Sequence, residues 1–297
     1  MPCFFRGIPD PVQVITAIDS GVTFPDSLAV LRAKYESDIL AFQTIIRRAR
    51  SSDEVLRIIR SPGMDKDRRM SLLKMFRRCV STVCDTEATK KINTISSESL
   101  IAAYGHTFKP IDKLKADLLD LSDDKIGALA ALIGEYDTRG QSGYVLTGTF
   151  FDWFDQRFKG LYSIRGPRGA GRDIELRTIF SDFDGSYPCD FVITPAGQDL
   201  PVCIGFARYD STRGGAQSDD RTGGNANKVD KAKTYALRTG RFIKILFLAD
   251  GPGLTHRDTW EEACLLDGTW DDRVRVTTLK LAPERVTAAW LTRDAPT

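Results

Sequence analysis

Asp190 opens an apolar strand behind Pro188 and Cys189, in the run Tyr187-Pro188-Cys189-Asp190-Phe191-Val192-Ile193-Thr194. A carboxylate entering such a strand is costly unless hydrogen bonds or a cation answer it. Asp190 is therefore a candidate ligand for a hard divalent cation such as Mg2+. A second apolar run follows the turn Pro195–Asp199 and ends in Phe206, Arg208 and Asp210. Arg208 can stabilise a developing anion but cannot act as a base near neutral pH. Asp210, two residues on, shares its face if the strand continues. Further oxygen donors are Asp173 and Glu175 upstream and Asp219 and Asp220 downstream, and Lys228 and Lys231 head the next helical stretch. Carboxylates beside cations suit metal-assisted hydrolysis. Taken singly, each charged residue other than Asp190 also reads as an ordinary surface group.

Two tracts rich in glycine and arginine flank this region, Arg165–Asp173 and Ser211–Asn227. Glycine lets a backbone approach a ligand closely, and arginine offers a planar fork to phosphate or to guanine edges. Arg165, Arg168, Arg172, Arg213 and Arg221 are candidates for lining a nucleic-acid cleft, and Gln217, Asn225 and Asn227 for reading adenine edges. Plain flexible loops are the competing account. The first tract is not a P-loop, since Arg172-Asp173 stands where Lys-Ser/Thr is needed, nor a dinucleotide-binding turn, since no strong strand pattern precedes it. Asp250-Gly251-Pro252-Gly253 reads as a glycine-requiring turn, and Trp153, Trp260 and Trp270 as core or interface. Arg47, Arg48, Arg50, Arg77 and Arg78 could touch phosphates or simply face water.

Composition narrows the chemistry. The 297 residues hold six cysteines without a CxxC pair and two histidines, which disfavours a Cys/His zinc site and a histidine-based triad. The net charge of +2 makes any nucleic-acid affinity a matter of local clustering. No apolar run approaches the ~20 residues that cross a bilayer, and the opening MPCFFRGIPDP lacks the pattern of a signal peptide. The expectation is a cytoplasmic protein with no membrane partner.

The expected fold class is α/β (α+β), with a helical region over 1–140 and a mixed-sheet domain over 141–297. In the first part, apolar residues at 3.6 spacing predict helices over 27–50, 54–59, 67–83, 98–104, 111–121 and 122–136. Ser52-Asp53 and Ser122-Asp123-Asp124 are the expected caps. After the boundary near 137–143 the pattern predicts an aromatic helix over 150–158, a short strand or helical turn over 174–180, a hairpin of strands 190–194 and 201–209, a helix over 226–239, a buried strand over 242–248, a helix over 259–266 and a last strand over 274–279. No internal repeat is present.

The segment around 144–280 resembles the PD-(D/E)xK nuclease superfamily, and within it the type II restriction endonucleases. Pro188-Cys189-Asp190 resembles the Pro-Asp that opens one strand of that core. Sixteen and eighteen residues on, Phe206 and Arg208 occupy the places of the motif's acidic residue and lysine. The resemblance implies a restriction-endonuclease-like core flanked by helices and Mg2+-dependent, sequence-specific cleavage of double-stranded DNA. It also implies a homodimer, the 1–140 region gripping the DNA backbone or dimerising, and a cognate DNA methyltransferase in the host. Phe206 cannot bind metal, so the second carboxylate must come from Asp173, Glu175, Asp210, Asp219 or Asp220, and a migrated lysine from Lys228 or Lys231. The catalytic set the resemblance thus implies is Asp190, Arg208, Glu175, Asp210 and Lys228, with Asp190, Glu175 and Asp210 as Mg2+ ligands. Two alternatives are a non-cleaving DNA-binding relative of this fold and an α/β domain that binds a phosphorylated small molecule.

Overall fold

Apolar spacing and capping residues set the helices of the first unit. The structure, a computed structural model, describes residues 3–19, 21–84, 86–135, 137, 140–211 and 219–292, with the backbone alone at 86 and 219–223. The chain is a mixed α/β protein divided into two compact units, Gly21–Thr138 and Met1–Ser20 with Arg139–Thr297.

The first unit is helical throughout its described residues: α1 (Asp26–Arg48), α2 (Ser52–Ile59), α3 (Lys66–Cys79), α4 (Thr86–Lys90), α5 (Ser97–Tyr104), α6 (Ile111–Leu118) and α7 (Asp123–Gly134). Tyr35, Ile39, Phe42 and Ile46 of α1 form the stripe that packs with Leu72 and Phe76 of α3 and Ile133 of α7. Helix starts follow side chains that accept free backbone N–H groups. Asp65 Oδ1 takes Asp67 and Arg68, and Ser96 Oγ takes Ser99. The cap of α2 is Ser51, which accepts from Glu54 N–H at 3.2 Å, whereas Ser52 was the expected cap and donates its hydroxyl to the Lys109 carbonyl. The third and sixth helices end earlier than their apolar runs, at Cys79 and Leu118. Helix α4 was not expected. Asp137 ties α1 to α3 near their middles. It accepts from Lys34 at 2.6 Å, from Lys74 at 2.5 Å and from the Tyr35 hydroxyl.

The second unit is built on a five-stranded sheet in the order β1-β4-β5-β6-β7. The strands are β1 (Tyr162–Arg165), β4 (Phe191–Pro195), β5 (Cys203–Tyr209), β6 (Lys244–Asp250) and β7 (Val274–Thr277). A two-residue ribbon pairs β2 (Ile174–Glu175) with β3 (Pro188–Cys189). β1, β4 and β5 run antiparallel, and β6 and β7 run parallel to β5. The parallel joins need crossovers, supplied by α9 (Asp219–Thr239) between β5 and β6 and by α10 (Arg257–Leu266) between β6 and β7. Alternate residues of each strand serve two cores. Helix α8 (Gln141–Arg157) brings Phe150, Phe151 and Phe154 against Phe191, Cys203 and Leu246 on one face. On the other, Val229, Ala232 and Tyr235 of α9 and Ala263 and Cys264 of α10 meet Ile204, Phe206, Ile245 and Phe247. The aromatic helix is thus core, as expected, and starts nine residues earlier than its aromatic cluster. β1 and the short helices Ala282–Arg285 and Ala288–Thr292 were not expected.

The N-terminal segment was expected with the helices, but its hydrogen bonds place it with the sheet. Phe4 N–H donates to Asp267 Oδ2 at 3.0 Å, Thr16 N–H to Asp250 Oδ1 at 2.6 Å and Ile18 N–H to the Tyr209 hydroxyl at 2.8 Å. The fully buried Phe5 packs on Trp260. Asp250 is itself fully buried and also accepts from Gly251 and Leu279 N–H. The turn after it does require glycine: Gly251 has φ 101°, and a Cβ there would lie 2.5 Å from the Asp210 carbonyl oxygen.

Candidate active site

Asp190 lies where β4 and β5 part. The last rung of their ladder is Phe191↔Gly205. Just beyond it, Asp190 N–H donates to the Gly205 carbonyl at 2.9 Å, and Ala207 N–H donates to Asp190 Oδ2 at 2.8 Å. Burial raises the Asp190 carboxyl above the usual carboxylate range. The Ala207 N–H pulls it down, the Asp173 charge pushes it up and the Lys228 ammonium pulls it down again. Three charged groups therefore share one field, two carboxylates and one ammonium.

Lys228 reaches this place from the third turn of α9. Its Nζ stands 4.0 Å from the centre of the Phe206 ring, a cation–π contact worth ~0.5–2 kcal/mol. Phe206 is in turn stacked on Phe247 at 5.3 Å and touched edge-on by Tyr187 at 5.9 Å. Burial lowers the Lys228 ammonium below the usual lysine range, Asp190 and Asp173 oppose that, and Arg208 adds to it. The helix is pinned on both sides of Lys228. The Tyr187 hydroxyl donates to the Lys228 carbonyl at 2.9 Å, and Asn225 Nδ2 donates to Glu262 Oε1 of α10 at 3.0 Å. Lys231, the other lysine considered, is exposed.

The first Gly/Arg tract begins and ends beside Asp190. A Cβ on Gly166 would sit 2.2 Å from the Asp190 carbonyl oxygen, so this glycine admits the chain's own strand rather than a ligand. At the far end of the tract is the exposed Asp173, whose charge reaches Asp190. Strand β1 does precede the tract, contrary to the sequence reading, but a two-residue strand and not a helix follows it. Arg165 and Arg172 are exposed. Arg168 is held by Asp152 and by Asp155 at 2.5 Å and lies over the Phe151 ring.

The other expected ligands are engaged elsewhere. Glu175 accepts from the Ser186 hydroxyl at 2.9 Å and from Tyr187 N–H, closing the 175–187 loop. Asp210 Oδ1 accepts from Arg208 Nε at 2.7 Å and from its terminal nitrogen at 2.6 Å. Asp190, Glu175 and Asp210 therefore do not form a ligand triad. Among the described residues no group of three His, Cys, Asp or Glu could hold a metal ion. The second Gly/Arg tract was expected to be a loop through Asn227, but from Asp219 it is helix. Arg213 and Gln217 lie outside the described residues, as do the side chains of Asp219, Asp220 and Arg221. Asn227 is exposed on α9. Arg47, Arg48, Arg50, Arg77 and Arg78 are exposed in the helical unit, Arg78 pairing with Glu135 at 3.2 Å.

A scan against protein-family models and searches of curated proteins and of solved structures gave no match for this chain. Among the described residues no helix is long and apolar enough to cross a membrane.

Proposed function

We propose that the second unit is the core of a metal-dependent, sequence-specific double-stranded DNA endonuclease of the restriction type. The observation that carries this reading is the Lys228 ammonium seated over the Phe206 ring, within the electrostatic reach of Asp190 and Asp173, near the point where β4 and β5 separate. The strand order supports it too. A mixed sheet flanked by helices, in which the β4–β5 hairpin is followed by a crossover helix and the parallel β6, agrees with what the resemblance implies. Phe206 and Arg208 occupy the motif's acidic and lysine places, and their roles move to Asp173 and Lys228.

Mg2+ is commonly held by one or two carboxylates together with water and substrate phosphate. Asp190 and Asp173 fit that demand, because the Asp173 charge raises the proton affinity of Asp190 and a bound cation relieves it. Bound there, Mg2+ would supply a Lewis acid for the phosphoryl oxygen. The chain's own groups do the rest. Lys228 presents an ammonium to the anionic charge that grows on the phosphate as water attacks and the P–O3′ bond breaks. Arg165 and Arg172, flanking the loop that closes on Asp190, are placed to take backbone phosphates.

Plasmid and phage DNA incubated with millimolar Mg2+ and, separately, with EDTA tests the proposal. Discrete fragments with Mg2+ alone are expected. Intact DNA with a salt-dependent gel shift would favour the non-cleaving relative, a reading supported by the locking of Arg208 onto Asp210. Neither cleavage nor a shift would leave the small-molecule reading.

A further inference from the structure

The N-terminal strap runs along α10 with its side chains in register. Phe4 N–H donates to Asp267 just past the helix, Phe5 packs on Trp260 at 4.8 Å between ring centres, and Arg6 reaches Glu261 at 4.0 Å. The same alignment sets Cys3 against Cys264, and both belong to one apolar cluster. Cys264 feels the Cys3 thiol as an electrostatic neighbour. Cys189 and Cys203 instead have their sulfurs directed at the carbonyls of Ile174 and Ile204.

We propose that Cys3 and Cys264 are an oxidisable pair that closes into a disulfide and fastens the strap to α10. The fit is geometric: three contacts on neighbouring residues already hold the strap on the face of α10 that carries Cys264, between Trp260 and Asp267. Cys3 is half-buried and Cys264 buried. Burial, and the neighbouring Cys3, push the Cys264 thiol up to about 12, so Cys3 is the sulfur that meets an oxidant first. With hydrogen peroxide, the Cys3 sulfur takes one peroxide oxygen to become a sulfenic acid, and water leaves. The Cys264 sulfur then displaces hydroxide from the Cys3 sulfur, forming the S–S bond. Its own proton leaves with that hydroxide as the second water. Two thiols are thereby oxidised by two electrons and one peroxide is reduced to two waters.

The test is treatment of the full-length protein with hydrogen peroxide, followed by proteolysis without reductant and mass spectrometry. A peptide joining Cys3 to Cys264, lighter by about 2 Da than the sum of its parts, is expected. It should vanish with dithiothreitol, and the oxidised protein should melt several degrees higher than the reduced one. Cys3→Ser, a change at the less buried position, should fold normally, form no crosslink and show no rise on oxidation. Over-oxidation of Cys3 to sulfinic or sulfonic acid without the crosslink would overturn the proposal, as would a crosslink between other cysteines. The outcome is independent of whether the protein cleaves DNA.

Discussion

At the scale of single residues, the site turns on what surrounds each charge. Asp190 was legible because an acidic side chain entering an apolar run needs a reason, and its Ala207 hydrogen bond and two charged neighbours supply one. Which carboxylate and which lysine join it was not legible. Asp173 and Glu175 are two residues apart in a tract without periodicity, and only the folded loop shows Glu175 consumed by Ser186 and Tyr187. Lys228 and Lys231 are one helical turn apart, and only packing on Phe206 distinguishes them. Asp190→Ala should lower DNA cleavage by ~10³-fold or more while leaving DNA binding in place, measured by cleavage and gel shift on one preparation. Loss of folding in circular dichroism would instead make Asp190 structural. Lys228→Met should lower turnover by ~10²-fold or more with little change in binding. Phe206→Leu should do the same more weakly, since it removes the ring beneath the ammonium and keeps the apolar volume. A Phe206→Leu protein with wild-type turnover would remove the ring from the site's architecture.

At the scale of elements, long periodic helices were readable and short or compositionally unfavourable ones were not. Helices α1, α3 and α7 announce themselves because a stripe of apolar residues recurs over several turns. β1 is four residues with one buried side chain, Tyr162, too short to establish a period. The start of α9 runs through Thr222-Gly223-Gly224-Asn225, a sequence with low helix propensity. Tertiary contacts such as Asn225 to Glu262 override it. The tie between α1 and α3 gives a pH prediction. Burial favours the protonated form of Asp137, but hydrogen bonds from Lys34, Lys74 and Tyr35 outweigh it and hold the carboxyl below the usual value of 3.8. A carboxyl depressed in the folded state contributes stability that is complete above its unfolded pKa and is lost as pH falls through the folded one. Asp137→Asn should therefore cost about 1–3 kcal/mol at neutral pH. Its difference from wild type in chemical denaturation should hold down to about pH 5 and shrink below 3.8. A difference that persists unchanged at pH 2.5 would refute the role assigned to the charge.

At the scale of the whole molecule, the chain's two ends of sequence serve one sheet. Asp250 collects backbone N–H groups from the strap at Thr16, from its own turn at Gly251 and from the segment after β7 at Leu279. No local pattern announces this node, because its partners lie more than two hundred residues apart on one side. Removing the carboxylate leaves three donors to find new partners, each at a cost of ~1–3 kcal/mol if buried. Asp250→Ala should accordingly destabilise the second unit by ~3 kcal/mol or more, and Asp250→Asn by less, in thermal unfolding. A loss under ~1 kcal/mol for the alanine variant would show that water replaces the carboxylate without penalty. The strap also sets an order of events during synthesis. Residues 3–18 leave the ribosome roughly two hundred residues or more before the groups they bind, from Tyr209 to Lys280. The helices of 21–138 can find one another while translation continues. The strap must wait, apolar Phe5 included, until its partners as far on as Lys280 have been made.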